Sequence, residues 1–144
     1  IDYSRFDDEI ASLYRLSCTA FTEAWRFEPL PRPLFEALYR PYQNRLPARW
    51  VWLAEDPEGI VQGFCFSFPD PTQQRFILKT LALDPAARGL GLGWALTAAV
   101  HRVAQEEGLS YGIHALMSEK TLARGMSLKD AAIIRHYVLY GKEL

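Results

Sequence analysis

The residues best suited to chemistry lie in one stretch, "PAARGLGLGWAL" at 85–96, where Arg88 is followed by Gly89, Gly91 and Gly93 at every second position. An apolar run follows, with Leu92, Leu96, Ala99, Val100 and Val103 at helical spacing. Glycine weakens helix and strand interiors alike. Three of them in front of a helix therefore point to a task for the backbone. The first N–H groups of a helix have no partner within it, and the helix dipole favours negative charge there. Side chains would keep a phosphate away from those donors. Glycine removes the obstruction and allows the dihedrals that turn several N–H groups inward. The implied chemistry is anion binding, with Arg88 adding a cationic fork. A plain tight turn is the blander reading, and it leaves Pro85 and Arg88 unexplained.

Two common phosphate loops are excluded. A GxGxxG fingerprint started at Gly89 or Gly91 would need glycine at Trp94 or Leu96, and GxxxxGK[ST] is absent. What remains is Arg-x-x-Gly-x-Gly on Arg88, Gly91 and Gly93, behind a strand that ends at Asp84 and Pro85.

The elements that must position this turn can be read in order. Ser4 to Asp7 reads as a capping box, with Asp7, Asp8 and Glu9 in the first turn of a helix over 5–23. Three prolines make 27–33 a loop, and Leu34, Phe35, Leu38, Tyr39 and Tyr42 suggest a second helix that ends or kinks near Pro41. Strands are expected over 50–56 and 60–68, joined as a hairpin, and over 75–83 after a turn at 69–74. The long helix runs over 91–107 and is ended by Gly108. A strand over 110–117, a loop with a helical turn over 118–127 and a last strand over 132–140 complete the chain. This order predicts an α/β (α+β) fold around a mixed, mostly antiparallel central sheet flanked by helices. Its one parallel crossover runs through the long helix.

The 144 residues suit one domain, taken as 1–144. Residue 1 is isoleucine rather than methionine, which implies a fragment or one domain of a longer product. With 49% hydrophobic residues the chain can fill a core, and with a net charge of −1 it lacks the electrostatic footprint of a nucleic-acid binder or of an anionic-membrane binder. No apolar run reaches the roughly 18 residues of a membrane span. Cys18 and Cys65 form no metal-ligand spacing and read as reduced thiols, so a cytoplasmic setting without a bound metal is expected.

The stretch "LALDPAARGLGLGWAL" resembles the acyl-CoA motif of the GNAT superfamily of acyl-CoA-dependent N-acyltransferases along its whole length. The element order from Ser4 onward is also similar. The resemblance implies an N-acetyltransferase that moves an acetyl group from acetyl-CoA to a primary amine of a small molecule or metabolite by direct attack. It implies that the pyrophosphate sits on the amides of Arg88, Gly89, Leu90, Gly91, Leu92, Gly93 and Trp94. The pantetheine arm would pair with the backbone of Leu81, Ala82 and Leu83, in a cleft where this strand splays from the region of His114 and Leu116. A second domain of the same family or a homodimer is the partner that such a chain could take, besides its amine.

The catalytic half of the family pattern is open. Where relatives often carry a glutamate, this chain has Lys79 and Thr80, and "KTLARGMS" lacks the tyrosine common in that helix. His114 is the candidate base, since its ordinary pKa is near neutral, and a hydrogen-bonded core histidine is the alternative. Tyr137 or Tyr140 could serve as acid, and both also read as core of an aromatic strand. Glu119 reads as solvated, and Thr121 replaces a missing asparagine only in part. On the acceptor side Phe21, Trp25, Phe27, Phe35, Tyr39 and Tyr42 could line an aromatic pocket or belong to the core, and Asp70 could meet a cationic amine or sit in an exposed turn. The missing catalytic residues also fit a non-catalytic acyl-CoA-binding domain of a tandem or regulatory protein.

Overall fold

The computed structural model describes residues 1–24, 27–115, 117, 125 and 131–138. Helix α1 (Phe6–Ala20) is preceded by a 3-10 turn, Tyr3–Arg5. Its entry is capped by Asp2, whose carboxylate accepts from the amide and hydroxyl of Ser4. Ser4 therefore donates to a cap one turn earlier than the expected box. Phe6, Ile10, Leu13 and Leu16 bury one face of α1, the 3.6-residue stripe that a helix lays on a core. Helix α2 (Arg32–Tyr39) starts at Pro31 and tightens into a 3-10 turn, Arg40–Tyr42, where Pro41 cannot continue α-helical hydrogen bonding.

The sheet follows. Strands β1 (Val51–Glu55) and β2 (Val61–Asp70) form the expected hairpin, and β3 (Arg75–Leu83) returns beside β2. Strand β2 continues through Pro69 and Asp70, which were expected in the turn. Helix α3 (Leu92–Glu106) carries the chain across to β4 (Tyr111–His114). The strand order among the described residues is β1-β2-β3-β4, antiparallel except for the parallel β3–β4 pair. Phe66 on β2 meets Tyr39 and Tyr42, whereas Phe76, paired with Pro69, meets His101 of α3. Strand alternation puts Phe66 and Pro69 on opposite faces. The helices α1 and α2 thus cover one face, and α3 covers the other.

Two expectations about the end of the chain change. Strand β4 is shorter than the predicted 110–117, because its ladder ends at His114 with one more bond, from the Ala115 amide to the Leu78 carbonyl. Residues 131–138 carry no strand, and Ile133, Ile134, Tyr137 and Val138 are exposed. An apolar run becomes a strand only through the ladder it joins, and none is present there among the described residues. The predicted loop at 118–127 lies outside the described residues apart from Gly125, as do the final residues of the predicted strand.

Candidate functional site

The turn before α3 is built from its ends inward. Past Leu83, the Asp84 amide donates to the Gln62 carbonyl at 2.8 Å, and the Asp84 carboxylate accepts from the Ala86 amide at 2.9 Å. The chain makes one 3-10 turn, Pro85–Ala87, and straightens at Arg88. Gly89 and Gly91 then both adopt φ of +81°, which other residues rarely adopt, and Gly91 is the N-cap of α3. A Cβ added at either one would meet nothing within 4 Å, so the space before the turn is open. Gly93 is buried in the first turn of α3. The amides of Gly89, Leu90, Gly91, Leu92 and Gly93 find no acceptor among the described residues. Unpartnered donors at a helix N-terminus, with open space at Gly89 and Gly91, are suited to an anion.

Arg88 departs from its predicted part. Its guanidinium donates to the Ala20 carbonyl at 2.8 Å and to Glu23 at 2.9 Å. It ties the C-terminus of α1 to the turn and supplies no fork to the open mouth. Its amide bonds within the turn, to the Pro85 carbonyl at 3.3 Å.

Strand β3 changes character halfway. Up to Leu78 it pairs with β2 on one side and β4 on the other. Phe66 faces Thr80, whereas Ser67 faces Leu78, so Lys79 is the extra residue of a β-bulge. Beyond the bulge, Leu81, Ala82 and Leu83 pair with Cys65, Phe64 and Gly63, while their edge toward β4 has no partner among the described residues. Among the described residues the β3–β4 ladder thus ends before the segment expected to pair with pantetheine. The open edge and the glycine turn are consecutive in the chain, five residues apart between Leu83 and Gly89 in sequence positions 84–88.

His114 stands at the last rung, opposite Leu78. Its Nε2 lies 3.1 Å from Nε2 of His101, a residue for which the sequence offered no signal of function. Gly112 makes this pair possible, because a Cβ there would lie 2.3 Å from the ring of Phe76. That ring packs over Gly112 and edge-on against His101, with centroids 5.1 Å apart. Burial lowers the pKa of both imidazoles, and for His114 the neighbouring His101 lowers it further. Tyr137 is exposed, with its hydroxyl accepting from Arg135 at 3.3 Å, and the structure does not bring it to His114. Tyr140, Leu116, Glu119 and Thr121 lie outside the described residues.

The aromatic residues of the acceptor side divide. Phe35 is buried between Tyr14 and Tyr39 and belongs to the core. Phe21 packs on Phe27 near the end of α1. Tyr39 and Tyr42 set their edges against Phe66, with centroids 5.1 and 5.0 Å away. Burial raises the Tyr39 phenol, and a hydrogen bond with Thr80 opposes that rise. Trp25 lies outside the described residues. Asp70 is engaged by Thr72 and by Arg75 at 2.9 Å, which hold its carboxyl below the ordinary aspartate range. It is a paired strand-end residue and does not wait for an amine. Among the described residues no three His, Cys, Asp or Glu side chains gather to hold a metal ion.

Residues 10–125 match the family described as Acetyltransferase (GNAT) family. No curated protein sequence matches the chain. Among solved structures, an aminoglycoside acetyltransferase from an uncultured soil metagenomic sample, in complex with sisomicin, superposes with a TM-score of 0.67 at 17% identity, covering 100% of this chain and 92% of that one. AAC(6')-Iy, in complex with the bisubstrate analogue CoA-S-monomethyl-acetylneamine, gives 0.67 at 16% identity over 95% and 93%. A ribosomal-protein-alanine N-acetyltransferase from Brucella melitensis biovar Abortus 2308 gives 0.63 at 16% identity over 95% and 94%. At these identities the likeness is one of fold.

Proposed function

The chain belongs to the GNAT acetyltransferase family, and from that premise we propose that it transfers an acetyl group from acetyl-CoA to a primary amine of a small molecule or metabolite. The observation that carries the reading is the row of acceptor-free amides from Gly89 to Gly93 in front of α3. Two structural neighbours support it in kind, since one is bound to an aminoglycoside and another to a CoA bisubstrate analogue. Acetyl-CoA would supply an activated thioester. The amides at the mouth of α3 would hold its diphosphate, and the open edge beside Leu81, Ala82 and Leu83 would align its amide-bearing arm. An ammonium with pKa near 10 must lose a proton before it can attack. His114 is the proposed acceptor of that proton, because its surroundings keep the imidazole neutral. The free thiols of Cys18 and Cys65 support a reducing, cytoplasmic setting.

A second reading draws on a specific observation. The Nε2 of His114 is engaged by His101, and Lys79 and Thr80 stand on β3 with no acidic side chain between Arg75 and Leu83. A non-catalytic acyl-CoA-binding domain fits that arrangement. Calorimetry with acetyl-CoA, followed by thiol release across a panel of amines, separates the readings. Binding with turnover supports the transferase. Binding without turnover on any amine supports the second reading, and absence of binding removes both.

A further inference from the structure

The bulge that follows the last β3–β4 rung also turns out a cation. Lys79 is the exposed, unpaired residue of that bulge. Its Nζ stands 6.0 Å from the centroid of the Phe66 ring, within reach of a cation–π contact. Phe66 is in turn flanked by the edges of Tyr39 and Tyr42. Thr80, the next residue on β3, pairs with Phe66 across the ladder. The exposed Lys79 ammonium thus stands near the buried Phe66 ring, against which the half-buried Tyr39 and Tyr42 pack.

Two carboxylates on the elements that form this sheet face are already engaged. Asp70 is bound by Arg75 and Thr72, and Glu36 on α2 is bound by Arg32 at 2.7 Å. Lys79 has no ion-pair partner among the described residues. A polycationic aminosugar approaching this face would meet the Lys79 ammonium, whereas Asp70 and Glu36 already have cationic partners. An amine that carries its own carboxylate would supply the missing counter-charge, and its apolar body could lie on the half-buried rings of Tyr39 and Tyr42, which pack on the buried Phe66.

We propose that the acceptor is an amine bearing a carboxylate and an apolar body, of amino-acid type, with the Lys79 ammonium holding the carboxylate. The proposal rests on the acetyl-transfer reading and names the substrate class of that same site. It also separates this chain from the aminoglycoside-bound neighbour, despite the shared fold.

The test uses amines that differ only in the carboxylate: phenylalanine against 2-phenylethylamine, tryptophan against tryptamine, and leucine against 3-methylbutylamine, with neamine as the polycation. Thiol release from acetyl-CoA is measured for the full chain, for Lys79→Gln and for Lys79→Glu. The wild type is expected to favour the acid of at least one pair by about tenfold or more in kcat/KM, the size of one charge-assisted contact. Lys79→Gln should erase that gap through KM, and Lys79→Glu should reverse it in favour of the decarboxylated amine and neamine. Acetyl-CoA affinity, read by calorimetry, should stay the same in all three proteins. Preference for the decarboxylated amines or neamine in the wild type overturns the proposal, and so does a gap that survives in Lys79→Gln. Either result leaves acetyl transfer standing. Absence of thiol release with every amine, or of acetyl-CoA binding, instead overturns the reading beneath it.

Discussion

At the mouth of α3 the groups on offer are main-chain amides, exposed by two glycines at φ of +81° within five residues of one another. At the open edge of β3 the groups on offer are side chains, and they are gathered from far apart. Tyr39 comes from α2, Lys79 from a bulge in β3 and Thr80 from the rung after it, with Phe66 of β2 buried beneath them. Across the sheet, His114 is met by His101 of α3. The first region is specified by local backbone rules. The second depends on register, on one extra residue and on the crossover helix. The cradle proposed for a diphosphate is encoded in a short sequence, whereas the proposed acceptor site is a property of the assembled sheet.

The largest test of this contrast compares two glycines with the same backbone strain. Gly59, in the β1–β2 turn, has φ of +79°, and a Cβ there would also meet nothing within 4 Å. Gly59→Ala and Gly91→Ala should each lower unfolding stability by about 1–2 kcal/mol, the cost of left-handed backbone for an L-residue. Only the Gly91 change puts a methyl before the open amides. Losing one or two charge-assisted hydrogen bonds there should weaken acetyl-CoA binding about ten- to a hundredfold, and Gly91→Trp should weaken it at least as much. Calorimetry and urea melts on the same samples read both quantities. Equal acetyl-CoA affinity in Gly59→Ala and Gly91→Ala would show that the mouth of α3 is only a turn.

The same contrast explains what could be read from the residues alone. The hairpin, β3 and α3 were legible because period-2 and period-3.6 apolar patterns sit between strong breakers, and the α3 mouth because its glycines act through their own dihedrals. The bulge at Lys79 was not legible. A bulge is a mismatch between two strands, and neither strand announces it alone. The His101–His114 contact joins residues 13 apart through a parallel crossover, and it needs Gly112 to admit the Phe76 ring. The run predicted over 132–140 shows the converse: its apolar side chains suggest a strand, but its described part, 132–138, has no ladder partner among the described residues. Arg88 was misread for a related reason. Its position beside the glycines suggested a ligand, and only the packing of α1 reveals that Ala20 and Glu23 take its guanidinium.

That correction yields an intermediate effect. Arg88→Met removes the part-buried bond to the Ala20 carbonyl, and its pairing with Glu23, whose side chain is 81% exposed, adds little. A loss of about 1–2 kcal/mol in a urea melt is expected, with acetyl-CoA affinity nearly unchanged. A marked loss of affinity with unchanged stability would return the guanidinium to the diphosphate and blur the line between the two regions.

The smallest effect belongs to the histidine pair, and its sign is fixed by its surroundings. Burial lowers both folded-state pKa values below the ordinary 6.5, so the unfolded chain binds protons at a pH where the folded chain does not. The contribution of the pair is therefore complete above about pH 6.5 and is lost as pH falls from there through the folded values. The carboxyls of Asp2, Asp56 and Asp70 are held below 3.8, so their contributions are lost only in more acidic solution. Between pH 7.5 and 5 the slope of stability against pH should thus carry the mark of the pair. Replacing both with glutamine, as His101→Gln with His114→Gln, should flatten that slope while leaving acetyl-CoA binding at the α3 mouth intact. An unchanged slope in the double variant would mean that the 3.1 Å contact does not hold the imidazoles neutral, and His114 would lose its standing as the proton acceptor. A flattened slope together with lost acetyl-CoA affinity would show instead that the pair and the amide cradle are coupled through α3, and that the two regions act as one.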